Sequence, residues 1–231
     1  MITCTVCGTP NEDLAVVCSS CRSYLQGKVD TLNLFQTIWG LAEAPRATMR
    51  RVLLARHKNY TLFLSALFGV ACAYGVFWLQ NAAARFDTIF SLTLAGMAWG
   101  PVFGVLFTAL LASVAWAAGR VLGQPAPWWN VFAVTSYAAV PVVLTLFFVY
   151  PVEVAVFGIE FFGTNPPPMV INPVVYVGLI AFDTAAVILA TLLLGAGAAE
   201  AHRLPRWKAA LVAGAVLAAA LGILRALPPV P

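Results

Sequence analysis

Four cysteines crowd the start of the chain as two CxxC pairs, Cys4-Thr-Val-Cys7 and Cys18-Ser-Ser-Cys21, with ten residues between them. Each pair can present two thiolates to one tetrahedral ion, with bonds of about 2.3 Å. Gly8 follows the second ligand of the first pair, where a tight turn aims backbone amides at sulphur. Thr9-Pro10-Asn11 supplies turn formers within the spacer. A module spanning residues 1–28 has almost no core, so a bound metal would supply its folding free energy. Four thiolates leave no coordination position open for chemistry, so the expected ion is zinc and the expected role structural. Redox dithiols and accidental spacing are the competing readings. Against both stands the crowding of Cys4, Cys7, Cys18 and Cys21, with only Cys72 elsewhere. Such ribbons usually carry a second glycine where this chain has Arg22.

Other chemistry is sparse. Asp183 is the one acid deep in an apolar run, and an intramembrane carboxyl is by default a candidate functional group. No Lys or Arg lies at its depth, so Thr108, Ser113 and Tyr74 are its expected partners, or else it stays protonated. The plainer reading is a satisfied packing residue, since a proton or ion relay needs a second titratable group and none is evident at that depth. Glu153 and Glu160 are seven apart and could share a helical face, but are expected to be solvated in a loop spanning 151–171. His57 and His202 sit among basic residues and read as solvated. GxSxG, HExxH and phosphate-cradling glycine loops are all missing from the sequence, so no enzymatic activity is expected.

The elements that must carry these residues are hydrophobic. Of 231 residues, 61% are hydrophobic and 10% charged, against about 25% charged in soluble domains. One soluble core could not hide that much apolar surface, so the bilayer is the solvent for most of the chain. The expected fold is all-α: a five-transmembrane-helix bundle headed by a small zinc-ribbon module. Residues 1–28 form the ribbon, 29–58 a basic juxtamembrane linker and 59–231 the membrane domain. Spans are expected at about 60–80, 101–122, 131–150, 172–196 and 208–227. Gly100-Pro101 is expected to divide the second apolar run, leaving 88–99 as a re-entrant or interfacial approach. Gly96, Gly100 and Gly104 repeat at GxxxG spacing and can admit a close helix neighbour. Asn172 and Pro173 form a good helix start.

In the linker, Phe35, Ile38 and Trp39 share a helical face, followed by Arg46, Arg50, Arg51, Arg56, His57 and Lys58. That pattern suits either a helix lying on an anionic membrane surface or a plain juxtamembrane stop. The polar, cysteine-bearing start does not read as a signal peptide, and paired cysteines in a reducing cytosol favour metal over disulfide. With the N-terminus inside, the cytoplasmic side carries Arg22, Lys28, Arg46, Arg50, Arg51, Arg56, Lys58, Arg120, Arg203, Arg206 and Lys208. The outside carries only Arg85 and Arg225. The bias selects a cytoplasmic N-terminus and an external C-terminus. The formal charge of +4 falls to about +2 once four thiolates hold a divalent ion, which gives no case for nucleic-acid binding.

The body of the chain resembles the Yip-domain family of five-span membrane proteins. The residues carrying the likeness are Ala44-Pro45-Arg46-Ala47-Thr48, the glycine-rich second span, Gly123-Gln-Pro-Ala-Pro-Trp-Trp-Asn130 and Val134-Thr-Ser-Tyr137-Ala-Ala-Val-Pro141. The resemblance implies a helical bundle with a cytosolic N-terminus, and eukaryotic relatives associated with Rab GTPases and membrane organisation. The ribbon at the head is a departure that looks prokaryotic, so Rab binding is not carried over. The expected protein is a non-enzymatic scaffold of the prokaryotic plasma (inner) membrane. It would contact the lipid bilayer and a cytosolic protein through the ribbon, and homo-oligomers are compatible with it. The alternative is a small-solute or ion permease using Asp183 and a broken second span.

Overall fold

The computed structural model describes residues 1–4, 6–25 and 31–228. The expected ribbon–linker boundary at residue 28 lies outside them. The chain divides into two compact units, Met1–Asn59 and Tyr60–Pro231.

The first unit opens with a minimal antiparallel hairpin, β1 (Ile2–Thr3) against β2 (Pro10–Asn11), with Ile2 opposite Asn11 and Thr3 opposite Pro10. A second hairpin is closed by a bridge between Val17 and Tyr24. Two short helices follow, α1 (Leu34–Glu43) and α2 (Pro45–Leu54). Asn33 caps α1 by accepting from the Gln36 amide, and Pro45 starts α2, where its missing N–H has no partner to lose. Gly40 lets the two helices meet closely, since a Cβ there would lie 2.6 Å from Thr48 Oγ1. Leu41, Met49, Val52 and Leu53 are buried, whereas Phe35 and Trp39 are exposed.

The second unit is helical throughout. Its elements are α3 (Thr61–Leu79), α4 (Ile89–Leu122), α5 (Trp128–Ala138), α6 (Val140–Phe148), α7 (Tyr150–Phe157), α8 (Pro168–Ile171), α9 (Pro173–His202) and α10 (Arg206–Ala226). Among the described residues, five helical segments are long and apolar enough to cross a membrane. They are α3, α4, the run Trp128–Phe162, α9 and α10. The fold is the expected all-α, five-span membrane architecture, with a four-cysteine cluster at its head that fits a small zinc module. α3 rises about 28 Å over its 19 residues, close to the roughly 30 Å of a hydrocarbon core.

Two expectations are corrected. α4 runs unbroken through Gly100-Pro101 for 34 residues, so 88–99 is its first part and not a re-entrant or interfacial piece. In lipid a broken helix would strand backbone groups without water, which favours continuing past one proline. Thr88 caps α4 through a reciprocal bond with Ser91. The second correction concerns residues 151–162, expected in a loop. The helix carries on beyond Tyr150 as α7 and a 3-10 turn, Gly158–Phe162. Pro141 and Pro151 sit in the first turns of α6 and α7. Each proline therefore falls just past a one-residue interruption, and the helical segment resumes with it.

The glycine spacing has the predicted consequence. Gly69 of α3 faces the backbone of Gly100 and Gly104, and a Cβ on Gly100 would lie 2.6 Å from Val70 Cα. Gly96 lies against the Tyr74 ring. α3 and α4 thus touch backbone to backbone, the arrangement small residues permit in lipid. Asn172 caps α9 by accepting from the Val175 amide, and Pro173 opens it.

Candidate metal centre and intramembrane carboxyl pair

In the first unit the four cysteine sulphurs lie within 4.8 Å of one another. Cys4 Sγ is 3.6 Å from Cys21 Sγ, and Cys7 Sγ is 3.5 Å from Cys18 Sγ. A tetrahedron with metal–sulphur bonds of about 2.3 Å has edges of about 3.8 Å. These separations match such edges and far exceed a disulfide bond of about 2.05 Å. None of the four is joined in a disulfide.

The two halves of the site are built alike. Gly8 N donates to Cys4 O at 2.9 Å, and Arg22 N donates to Cys18 O at 3.1 Å. Gly8 and Arg22 both take positive φ, 73° and 58°. The left-handed turn that glycine makes freely is therefore repeated by an arginine, which explains why the second hairpin closes without the usual glycine. Val6 N donates to Cys4 Sγ and Ser20 N to Cys18 Sγ, both at 3.4 Å. The Ser23 hydroxyl lies 3.1 Å from both Cys4 Sγ and Cys21 Sγ. That hydroxyl, followed by backbone amides, lowers the Cys4 thiol to about 6. The Cys21 amide leads a similar set that lowers Cys18. Such donors favour thiolates, the form that binds metal.

Asn11 is the residue the sequence reading undervalued as a turn former. It is buried, donates through Nδ2 to Thr9 O at 2.7 Å and to Cys18 Sγ at 3.5 Å, and accepts from Ser19 N at 2.8 Å. It ties the first hairpin to a ligand in the second. The signal available in sequence was an Asn seven residues before Cys18, too common to single out.

The second unit places Asp183 differently from expectation. Its side chain is half-buried on α9, near enough to Glu153 of α7 and Thr145 of α6 to interact with both. Thr108, Ser113 and Tyr74 are not its partners. Thr108 Oγ1 is buried and unpaired, Ser113 donates to Ala109 O at 2.8 Å, and Tyr74 donates to Thr93 O at 3.0 Å. Glu153 is 5% exposed, not solvated. Gly158, at φ 59°, ends α7 before Glu160, so the two glutamates do not share a helical face. The second titratable group that seemed missing beside Asp183 is Glu153.

Around the pair runs a polar chain. Tyr150 OH and Thr93 Oγ1 are 2.6 Å apart, and the Tyr150 and Tyr74 rings stack at 4.2 Å. His202 is also corrected: it is fully buried, its Nδ1 donating to Gln124 O at 2.8 Å while its ring fills the space beside Gly119. Gln124 N returns a bond to His202 O at 2.9 Å, and Lys208 Nζ donates to Leu122 O at 3.0 Å. The loops after α4 and after α9 are therefore clasped together, which gives the Gly123-Gln124 stretch a structural role.

No match is found among curated proteins or among solved structures. The Yip1 domain family model matches residues 39–227. That stretch takes in the carboxyl pair and the clasp, while the cysteine cluster lies ahead of it. With more than four-fifths of its length matched, this five-span membrane protein belongs to the Yip1 domain family.

Proposed function

We propose that the protein is a non-enzymatic scaffold of a prokaryotic plasma membrane, whose four-cysteine module is a structural zinc ribbon that engages a cytosolic protein. The observation that carries this reading is the convergence of Cys4, Cys7, Cys18 and Cys21 with donors already arranged around the sulphurs. A site saturated by four protein ligands has no place for substrate, so its contribution is to hold shape. Family members are generally not enzymes, which agrees with the lack of a nucleophile–base–acid constellation in the sequence. The basic residues flanking the spans support a cytoplasmic N-terminus and an external C-terminus. The division into a ribbon at 1–28, a linker at 29–58 and a membrane domain at 59–231 belongs to the same proposal.

Two measurements on the full chain test it. Protein purified under reducing, chelator-free conditions should carry about one zinc per chain, and Cys18→Ser should lose it while the membrane unit still inserts. Crosslinking in native membranes should then capture a cytosolic protein with the wild type and not with Cys18→Ser. Absence of zinc sinks the ribbon. A crosslinking pattern indifferent to Cys18→Ser sinks the docking role.

A small-solute or ion permease is the second reading, favoured by the pairing of Asp183 with Glu153. Its other support, a broken second span, is gone because α4 is continuous. Liposomes carrying the protein should show no proton or cation leak above empty controls. A leak abolished by Asp183→Asn, in protein that still folds, selects the permease.

A further inference from the structure

Helix α1, in the first unit and outside every span, carries an apolar stripe that the described residues leave largely open. Phe35, Ile38, Trp39 and Ala42 stand at i, i+3, i+4 and i+7, one side of a helix. Phe35 is 83% exposed and Trp39 68%, and Ala42 is exposed beside them. The opposite side is taken up by packing: Thr37 and Leu41 are buried, and Gly40 meets Thr48 of α2. Single apolar residues on a surface are ordinary, but a Phe and a Trp one turn apart in so small a unit mark a contact face. Two observations name what covers it. The first is reach. α2 ends at Leu54 and the span α3 starts at Thr61, and the chain between them extends at most about 25 Å. The second is charge. Residues 31–59 hold Arg46, Arg50, Arg51, Arg56 and Lys58 against one acid, Glu43. Arg50 donates to Asp13 O at 3.0 Å, while Arg46, Arg51 and Arg56 are exposed.

We propose that α1 lies on the anionic lipid surface of the bilayer that the chain itself spans. Phe35 and Trp39 enter the headgroup–acyl boundary, and Arg46, Arg51 and Arg56 draw the unit toward lipid phosphates. This attraction acts over about 8 Å at physiological salt, so the arginines need not share the stripe of α1. A protein partner would have to be apolar and acidic at once, whereas an anionic leaflet is both and is within the reach of the connecting chain. The inference requires neither zinc nor a protein partner at the cysteine hairpins.

Photocrosslinking of the full chain in lipid nanodiscs tests it. The photoreactive p-benzoylphenylalanine replaces Phe35 in one variant and Trp39 in another. Both positions are exposed, and either decides if the other fails to fold. In discs containing phosphatidylglycerol, irradiation should give a chain–lipid adduct by mass at each position. In discs of phosphatidylcholine alone the yield should fall at least about three-fold. Arg46→Gln, Arg51→Gln and Arg56→Gln together should lower it comparably in the anionic discs. In the wild type, hydrogen exchange of the α1 amides should be several-fold slower in the anionic discs, and Phe35→Gln with Trp39→Gln should remove that difference. The surface is overturned by no lipid adduct at either position, by equal yields in the two lipids, or by α1 exchange that ignores the lipid. A two-chain adduct, or in native membranes an adduct to another protein in place of lipid, overturns it in favour of that occupant.

Discussion

Arg22 shows how a residue of the wrong type can hold a required conformation. Its φ of 58° lies where a side chain is disfavoured by about 1–2 kcal/mol relative to ordinary backbone. Gly8 takes the equivalent position in the first hairpin at no such cost. Arg22→Gly should therefore stabilise the metal-loaded ribbon by about 0.5–1 kcal/mol, the entropy of glycine in the unfolded chain offsetting part of the gain. Thermal unfolding followed by a chelator-competition assay would show the change, and an unchanged or lower midpoint would refute it. Asn11 predicts the opposite direction. Asn11→Ala removes the donors to Thr9 O and Cys18 Sγ and the acceptor for Ser19 N. Loss of such supporting contacts typically lowers metal affinity by about 10–100-fold. Isothermal competition against a chelating dye should find the weaker binding with all four cysteines intact. The ligands themselves were legible because spacing alone limits what two CxxC pairs can do. Asn11 was not, because its value arises only when the two hairpins face each other.

At the level of elements, the α3–α4 contact is the one whose energetics a glycine decides. A side chain on Gly104 would run into Ser65 O and the backbone of Gly69, whereas one on Gly75 of α3 would meet open space. Gly104→Val should thus cost about 3 kcal/mol or abolish folding, as overpacking against rigid backbone does. Gly75→Ala should stay within about 1 kcal/mol of wild type. Melting in detergent micelles compares the two, and equal midpoints would remove the close contact from the account. Gly96, Gly100 and Gly104 were readable as a packing stripe, because three small residues four apart lie on one face of a helix. The break expected at Gly100-Pro101 failed for a related reason: the same face is pressed on α3, so packing keeps α4 helical through the lost N–H bond. Residues 151–162 were misread because Glu153 and Glu160 suggested a solvated loop. Yet Val152, Val154, Val156, Phe157, Phe161 and Phe162 crowd this stretch as no solvated loop would. Phe157, Phe161 and Phe162 are buried with Tyr74, Phe77 and Leu179, and this packing carries Glu153 inward. The pairing of Glu153 with Asp183 depends on α7 meeting α9, which no spacing within either helix encodes.

Over the whole molecule, the loops of the membrane unit sort to two ends through their hydrogen bonds. Gln124 and Leu122 are bonded to His202 and Lys208, which brings the turn after α4 beside the turn after α9. Gln80, just past α3, donates to Leu227 O at 3.4 Å and Pro228 O at 3.2 Å, so the end of α10 meets the turn after α3. Trp78 Nε1 donates to Tyr176 OH at 3.3 Å, adding the start of α9 to this second end. The positive-inside rule, applied to sequence alone, divides the loops in the same way: Arg120, Arg203, Arg206 and Lys208 on one side, Arg85 and Arg225 on the other. Two unrelated arguments, one from charge and one from contact, thus agree on which loops share a side, and under the proposed orientation the more basic side is the cytoplasmic one. Reporter fusions at Arg120 and Arg206 should therefore report cytoplasm, and fusions at Glu160 and Pro231 the opposite compartment. A cytoplasmic signal at Pro231 alongside one at Arg206 would leave α10 uncrossed and remove the five-span topology. Opposite signals from Arg120 and Arg206 would be incompatible with the clasp between their loops, since Gln124 and His202 cannot bond across a bilayer.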